Sequence, residues 1–227
     1  MFVRKAALGV IADLLIYGGL LFLPAATIHW WRAWVFLGVV LVGAVATMAW
    51  ALRGDEELLQ ERWGAPIQRG QPLADKILTI LLLVTYCGLI VFTPLDVFRF
   101  HLLGKPAAIA SSLGLLLFVA GWCIFSLCLK ENTFAAPVVK HQEERRQKVI
   151  DTGPYAVVRH PMYAAGILLM VGMPLWLESW AATLAAVAPS AVLVMRIFVE
   201  ERLLKRELDG YEAYTRKVRH RLIPFVW

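Results

Sequence analysis

Three groups of polar residues in the C-terminal third have the types and spacing for chemistry. The first is Asp151-Thr152-Gly153-Pro154-Tyr155, a turn sequence, followed closely by Arg159-His160-Pro161-Met162-Tyr163. Pro161 suits the first position of a helix, where its missing N–H leaves no bond unmade. The N–H groups and partial positive charge of that helix start would seat a carboxylate, and Arg159 and His160 stand just before it as further donors. The same residues equally suit an interfacial anchor, with Arg and Tyr reaching for headgroups. The second group is Arg196 with Glu200 and Glu201. Arg196 and Glu200 are four apart and share a helical face. The two carboxylates point about 100° apart on a 3.6-residue helix. They suit hydrogen bonds from ribose hydroxyls, or simply a solvated helix end. The third is Tyr211 and Tyr214, followed by Arg216, Lys217, Arg219 and Arg221, a pattern that also describes a tail lying on a membrane surface.

These groups must be positioned by elements that are largely apolar. Of the 227 residues 59% are hydrophobic and mean hydropathy is +0.65, beyond the ~45–50% apolar usage of soluble domains. Nine Trp fit the two bilayer interfaces. A membrane helix needs ~20 apolar residues, and four runs supply them, at about 6–26, 31–52, 77–98 and 107–129. A further apolar stretch, 161–199, is too long for one span and is broken at Glu178-Ser179. It predicts a hairpin with its tip near Glu178. The expected fold is therefore all-α and polytopic, with six membrane-embedded helices. Residues 1–129 would form the N-terminal spans and 130–227 the catalytic region of one membrane-embedded domain. The sixth helix should run on past Glu200, with Leu203, Leu204 and Leu208 on one apolar face. Between the second and third runs, Leu58, Leu59 and Trp63 suggest a short surface helix ended at Gly64-Ala65-Pro66. The basic start before the first run resembles a secretory leader, but without a clear cleavage site it reads as a retained span.

Charge supports this topology. With the N-terminus inside, 19 of the 23 Lys and Arg fall on the inner side, and only Arg32, Arg99 and Lys105 fall outside. This asymmetry is the positive-inside pattern for an even number of spans and predicts both termini cytoplasmic. The net charge of +6 is thus accounted for by topology, and no nucleic-acid partner is expected. Cys87, Cys123 and Cys128 lie in apolar runs with neither a disulfide framework nor a CxxC spacing, so no metal site is expected. Asp13, midway along the first run, is expected to meet a polar group on a neighbouring helix; a transport path is the other reading of an intramembrane acid.

The C-terminal residues together resemble the isoprenylcysteine carboxyl methyltransferase family, which is itself similar to phospholipid N-methyltransferases. The resemblance runs from Asn132 to Trp227. It rests on Gly153-Pro154-Tyr155, Val158-Arg159-His160-Pro161-Met162-Tyr163 and Gly166, then Glu200-Glu201, Tyr211-x-x-Tyr214 and Pro224. The spacing near Gly210 departs from the eukaryotic pattern by about two residues, which leaves the roles of Tyr211 and Tyr214 open. The resemblance implies an S-adenosylmethionine-dependent methyltransferase. Its implied cofactor residues are Lys140, Gln147, Lys148, Val149, Ile150, Tyr155, Arg159, His160, Pro161, Met162, Tyr163 and Glu200. The family's substrate-facing arginine matches Arg196, and Arg196 and Glu201 are the candidate catalytic residues.

Methyl transfer from a sulfonium is an in-line displacement from an already activated donor, so the protein chiefly positions and desolvates. A carboxylate acceptor is ionised at neutral pH and needs no general base. Arg196 could hold it by a bidentate pair, and Tyr155 or Tyr163 could face the sulfonium. A lipophilic acceptor would enter from the bilayer, among the membrane lipids. Other acceptors of this kind are a phospholipid amine and a small thiol. The rival enzyme reading is a steroid-reductase-like oxidoreductase using NADPH, and the non-enzymatic one is a membrane scaffold or carrier.

Overall fold

A computed structural model describes residues 2–51, 66–68, 70–135, 138 and 147–227. The surface helix expected around Leu58 to Trp63 lies outside the described residues, as does Lys140. Among the described residues there is no strand. The helices are α1 (Phe2–Ala25), α2 (Trp31–Ala51), α3 (Leu73–Leu95, continued by a π turn over Asp96–Phe100), α4 (Ala108–Glu131), α5 (Pro161–Trp176), α6 (Trp180–Ala185), α7 (Val187–Glu207) and α8 (Tyr211–Lys217). A 3-10 turn occupies Gly153–Ala156.

The apolar runs form helices because, without water, a span must satisfy its backbone within itself. Five helical stretches are long and apolar enough to cross a membrane, α6 and α7 together making the last, and α5 is a shorter apolar helix. The chain is a polytopic α-helical membrane protein. Its outward faces are as apolar as its core: Leu15, Leu23 and Ile109 are at least 70% exposed, which only lipid would tolerate over so large an area.

The hairpin forms as expected, its tip at Leu177–Ser179 with Glu178 at φ +70°. Its first limb, α5, lies tight against α4. A Cβ on Gly172 would stand 2.6 Å from the Gly114 carbonyl and the Phe118 amide, and one on Gly114 would stand 2.6 Å from the Trp176 amide. With no hydrophobic force between helices in lipid, such close backbone approach supplies the packing, and only glycine permits it here. Further in, Phe36, Leu21, Met173 and Leu177 are fully buried where α1, α2 and the hairpin meet.

Side-chain bonds pin the helices at both ends. At the tip, Arg32 of α2 donates to the Trp176 carbonyl (3.1 Å), pairs with Glu178 (3.2 Å) and lies between the Trp31 and Trp176 rings. Asp96, at the end of α3, accepts from the Ser179 hydroxyl (2.6 Å) and the Leu102 amide (2.9 Å). At the opposite end, Glu131 closing α4 accepts from the Thr152 hydroxyl, and Asp75 at the start of α3 meets Arg196 of α7. The helices therefore alternate in direction, and all the chemical groups singled out above collect at the end opposite the tip. Asp13 is a departure from expectation. It sits exposed on α1 and has no hydrogen bond or ion pair among the described residues. One turn on, Tyr17 shares a hydrogen bond with Tyr86 of α3 (2.7 Å).

Candidate active site

The site is built where α5 begins and α7 leaves the apolar zone. Pro161 is the first residue of α5, as its chemistry predicts, with His160 just before it. α7 continues through Glu200 to Glu207 without a break, and Leu203, Leu204 and Leu208 are all buried. The chain then turns at Gly210 into α8, whose Tyr211 and Tyr214 pack on Leu204 and Leu208. The last residues fold back onto the start of α5: the Arg159 amide donates to the His220 carbonyl and the His160 amide to the Arg221 carbonyl, both at 2.9 Å.

These elements enclose a cavity. Its walls are Gln147, Lys148, Val149 and Ile150; Tyr155; Arg159, His160, Met162 and Tyr163; Glu200, Leu204 and Leu208; and Tyr211 and Tyr214. Asn132, Phe134, Ala135 and Val138, beyond α4, also line it. The enclosed volume is 130 Å³, below the roughly 300 Å³ at which small-molecule sites begin.

The cavity's polar wall is a chain of contacts. The Tyr163 hydroxyl donates to Glu200 Oε2 at 2.7 Å. The Tyr163 and His160 rings stack, 5.5 Å apart and 12° from parallel. His160 Nδ1 lies 3.7 Å from Glu200 Oε2, while its Nε2 lies 3.2 Å from Glu201 Oε1. One imidazole thus stands between the two adjacent carboxylates, which do diverge as helical geometry requires. Glu200 is about a quarter exposed at the cavity; Glu201 is buried behind it. Burial pushes the phenols of Tyr155, Tyr211 and Tyr214 above their ordinary range, so all three remain neutral donors at physiological pH. Tyr214 uses its proton on the Tyr155 carbonyl, at 2.8 Å.

The expected cofactor residues Gln147, Lys148, Val149, Ile150, Tyr155, Arg159, His160, Met162, Tyr163 and Glu200 come together on this cavity. Pro161 starts α5 beside it without lining it. The two candidate catalytic residues lie elsewhere. Glu201 accepts from Arg159 Nε (2.7 Å) and from Arg221 (3.1 Å to its Nη2), and is a buried junction for the folded-back C-terminal segment. Arg159 completes that junction by donating to the carbonyls of Val218 (2.7 Å) and Arg219 (2.8 Å). Its guanidinium is engaged by these partners, and the residue also borders the cavity. Arg196 lies behind Tyr163, its Cζ 6.0 Å from the ring centre, and its Nε donates to Asp75 at 2.9 Å.

Asp75 has no place among the sequence candidates. It follows a polar stretch and precedes Lys76, so it reads as a surface residue, yet it is wholly buried. Tyr211 and Tyr214, equally readable as a surface tail, are buried cavity walls. Their spacing three apart, facing Leu204 and Leu208, is the signal that could have placed them.

Comparison with known proteins bears on the same segment. Residues 109–209 match the model of the phospholipid methyltransferase family. The match spans α4 to the end of α7 and so contains Tyr155, Arg159 to Tyr163, and Arg196 to Glu201. It supports a methyltransferase. The chain is also similar to the nickel-cobalt-cadmium resistance protein NccN of Alcaligenes xylosoxydans xylosoxydans, with 34% identity over 73 residues, 31% of this chain and 33% of that protein. The chain thus spans about one third of the length of the curated relative it matches.

Proposed function

We propose that this protein is an integral membrane methyltransferase that uses S-adenosylmethionine and acts on a lipophilic acceptor. The observation that carries the reading is the shared cavity. Ten residues that the family resemblance assigns to the cofactor line one cavity, inside the segment that matches phospholipid methyltransferases. The donor set fits the cofactor. Val149, Ile150, Met162 and Leu204 offer apolar surface to a nucleoside, and Glu200, with the hydroxyls beside it, offers acceptors and donors for ribose or amino-acid groups. The bound cofactor would supply an electrophilic methyl on a sulfonium. The chain's own part is to orient and to exclude water: stacked Tyr163 and His160 fix Glu200, the Arg159–Glu201 junction holds the C-terminal segment over the site, and α8 closes one side.

The site's depth favours an acceptor from the bilayer. The 16 residues of α5 span about 24 Å, short of the ~30 Å hydrocarbon core, which supports a cavity near the edge of the acyl region. The charge distribution supports the same end facing the cytoplasm, with both termini there.

For the acceptor, the family resemblance points to a lipophilic carboxylate of the isoprenylcysteine kind, gripped by Arg196. One observation favours a second reading, a phospholipid amine. Arg196 is already paired with Asp75, so it does not call for an acceptor carboxylate, while Glu200 or His160 could take the proton that an ammonium must lose before its nitrogen is methylated. Purified protein given labelled cofactor with a prenylcysteine analogue, and separately with a membrane lipid extract, tells them apart. Label in neither pool would overturn methyl transfer to a lipophilic acceptor. Thermal stabilisation by NADPH and none by S-adenosylhomocysteine would favour the reductase reading instead. Arg196→Gln should lose turnover and keep cofactor affinity; lost affinity removes Arg196 from the acceptor's side.

A further inference from the structure

The sequence puts Arg196 and Glu200 one turn apart on α7, the spacing at which arginine and carboxylate pair. The structure sends them different ways. Arg196 reaches across to α3, where its Nε and Nη2 face the two oxygens of Asp75 at 2.9 and 3.5 Å. Glu200 instead accepts from Tyr163 and borders the cavity. Asp75 is wholly buried, and it is held in place by Gln71, whose Nε2 donates to Asp75 Oδ2 at 2.7 Å and lies 3.3 Å from the Thr79 hydroxyl. It lies outside the segment that matches the methyltransferase family.

We propose that Asp75 is a positioning residue for the cavity: by holding Arg196 on α3, it leaves Glu200 to Tyr163. A buried guanidinium in a medium of low dielectric draws the nearest carboxylate strongly. Without the charge of Asp75, Glu200, one turn on along the same helical face, is among the described residues the next carboxylate whose charge acts on Arg196. Its capture would break the Tyr163 bond and remove the carboxylate from the cavity wall. The N-terminal spans thereby contribute to the site by keeping an arginine away from the group it would otherwise take. The consequence for ligand affinity rests on the reading of Glu200 as a cofactor ligand; the positioning itself does not.

The test uses the full chain in detergent micelles, with tyrosine labelled at ¹³Cζ and the Tyr163 signal assigned by its loss in Tyr163→Phe. Asp75→Asn should move that signal as Glu200→Gln does, and Asp75→Glu should leave it near the wild-type position. Asp75→Asn/Arg196→Gln, which also removes the cation, should return it, and this pair tests the idea even if the single variant folds poorly. By calorimetry, affinity for S-adenosylhomocysteine should fall about tenfold in Asp75→Asn and in Glu200→Gln, with no further fall when both are combined. An unmoved Tyr163 signal in Asp75→Asn, a signal still displaced in the charge-free pair, or additive losses would each overturn the proposal. If the signal moves but Glu200→Gln leaves affinity unchanged, the positioning stands and the cofactor role of Glu200 falls.

Discussion

The two ends of the α5–α7 hairpin use the same materials to opposite effect. Each holds a buried arginine, a nearby carboxylate and aromatic rings. At the tip, Arg32 is closed in by two indoles, a carbonyl and Glu178, and Trp176 returns a hydrogen bond to the Arg32 carbonyl at 2.9 Å. At the other end, Arg159 and Arg196 are held by Glu201 and Asp75, which do not line the cavity, and Glu200 keeps an open side on it. A buried ion pair by itself is weak evidence of function, since such pairs also serve as structural fastenings. What separates the ends is whether a charged group is left facing a space that a ligand could fill.

The strongest test of that contrast is a matched pair of substitutions. Glu200→Gln should lower S-adenosylhomocysteine affinity about tenfold with little change in thermal midpoint. Arg32→Gln should do the reverse, destabilising by about 2–3 kcal/mol, below the ~3–5 kcal/mol of a fully buried pair because Glu178 is 25% exposed. Its ligand affinity, measured well below the midpoint, should stay within twofold of wild type. A loss of affinity on changing Arg32 would show that the tip is not merely a fastening.

A smaller effect should come from the seam between α4 and α5, which joins the two ends. In Gly172→Ala the new methyl meets backbone on α4 at 2.6 Å, and the helices must separate slightly along their length. Overpacking of this kind costs about 1–3 kcal/mol. Thermal unfolding in micelles measures it. A midpoint equal to wild type would mean that α5 can shift without cost, and the position of Tyr163 would then be less firmly set than the packing implies. Smaller again, Tyr214→Phe removes a bond to the Tyr155 carbonyl. It should cost about 1 kcal/mol of stability, with ligand affinity down about threefold if Tyr155 loosens.

The spans and the hairpin were legible because lipid imposes a one-dimensional rule: a long enough apolar run is a helix, and a run too long for one span must turn, here at Glu178-Ser179. That Tyr155, His160, Tyr163 and Glu200 come together was legible through the family resemblance, since spacing alone suited an interfacial anchor or a solvated helix end equally well. The partners of Arg159, Arg196 and Glu201 were not legible. A guanidinium looks the same in sequence whether it faces a ligand, as expected for Arg196, or a carboxylate 121 residues away. Asp75 was hidden for that reason, since nothing near it in the chain records its partner. Tyr211 and Tyr214 were hidden by their basic neighbours, which suggested a surface, whereas packing with Leu204, Leu208 and Val218 buries them.

The smallest predicted effect marks the outer limit of the site. Lys217 donates to Asp151 at 2.7 Å across the exposed rim of the same end. Its hydrogen bond and charge hold the Asp151 carboxyl below the usual carboxylate range. A carboxyl whose value is lower in the folded state contributes stability above its unfolded value, near 4, and loses it as pH falls through the folded value. Both groups are solvent-exposed, so screening leaves little of that contribution. Lys217→Ala should therefore leave ligand affinity unchanged and lower the thermal midpoint only marginally at pH 7, with the gap closing below pH 4. A marked loss of affinity instead would extend the ligand-binding surface to the rim, and the contrast between a closed tip and an open end would then include the turn before α5 as well.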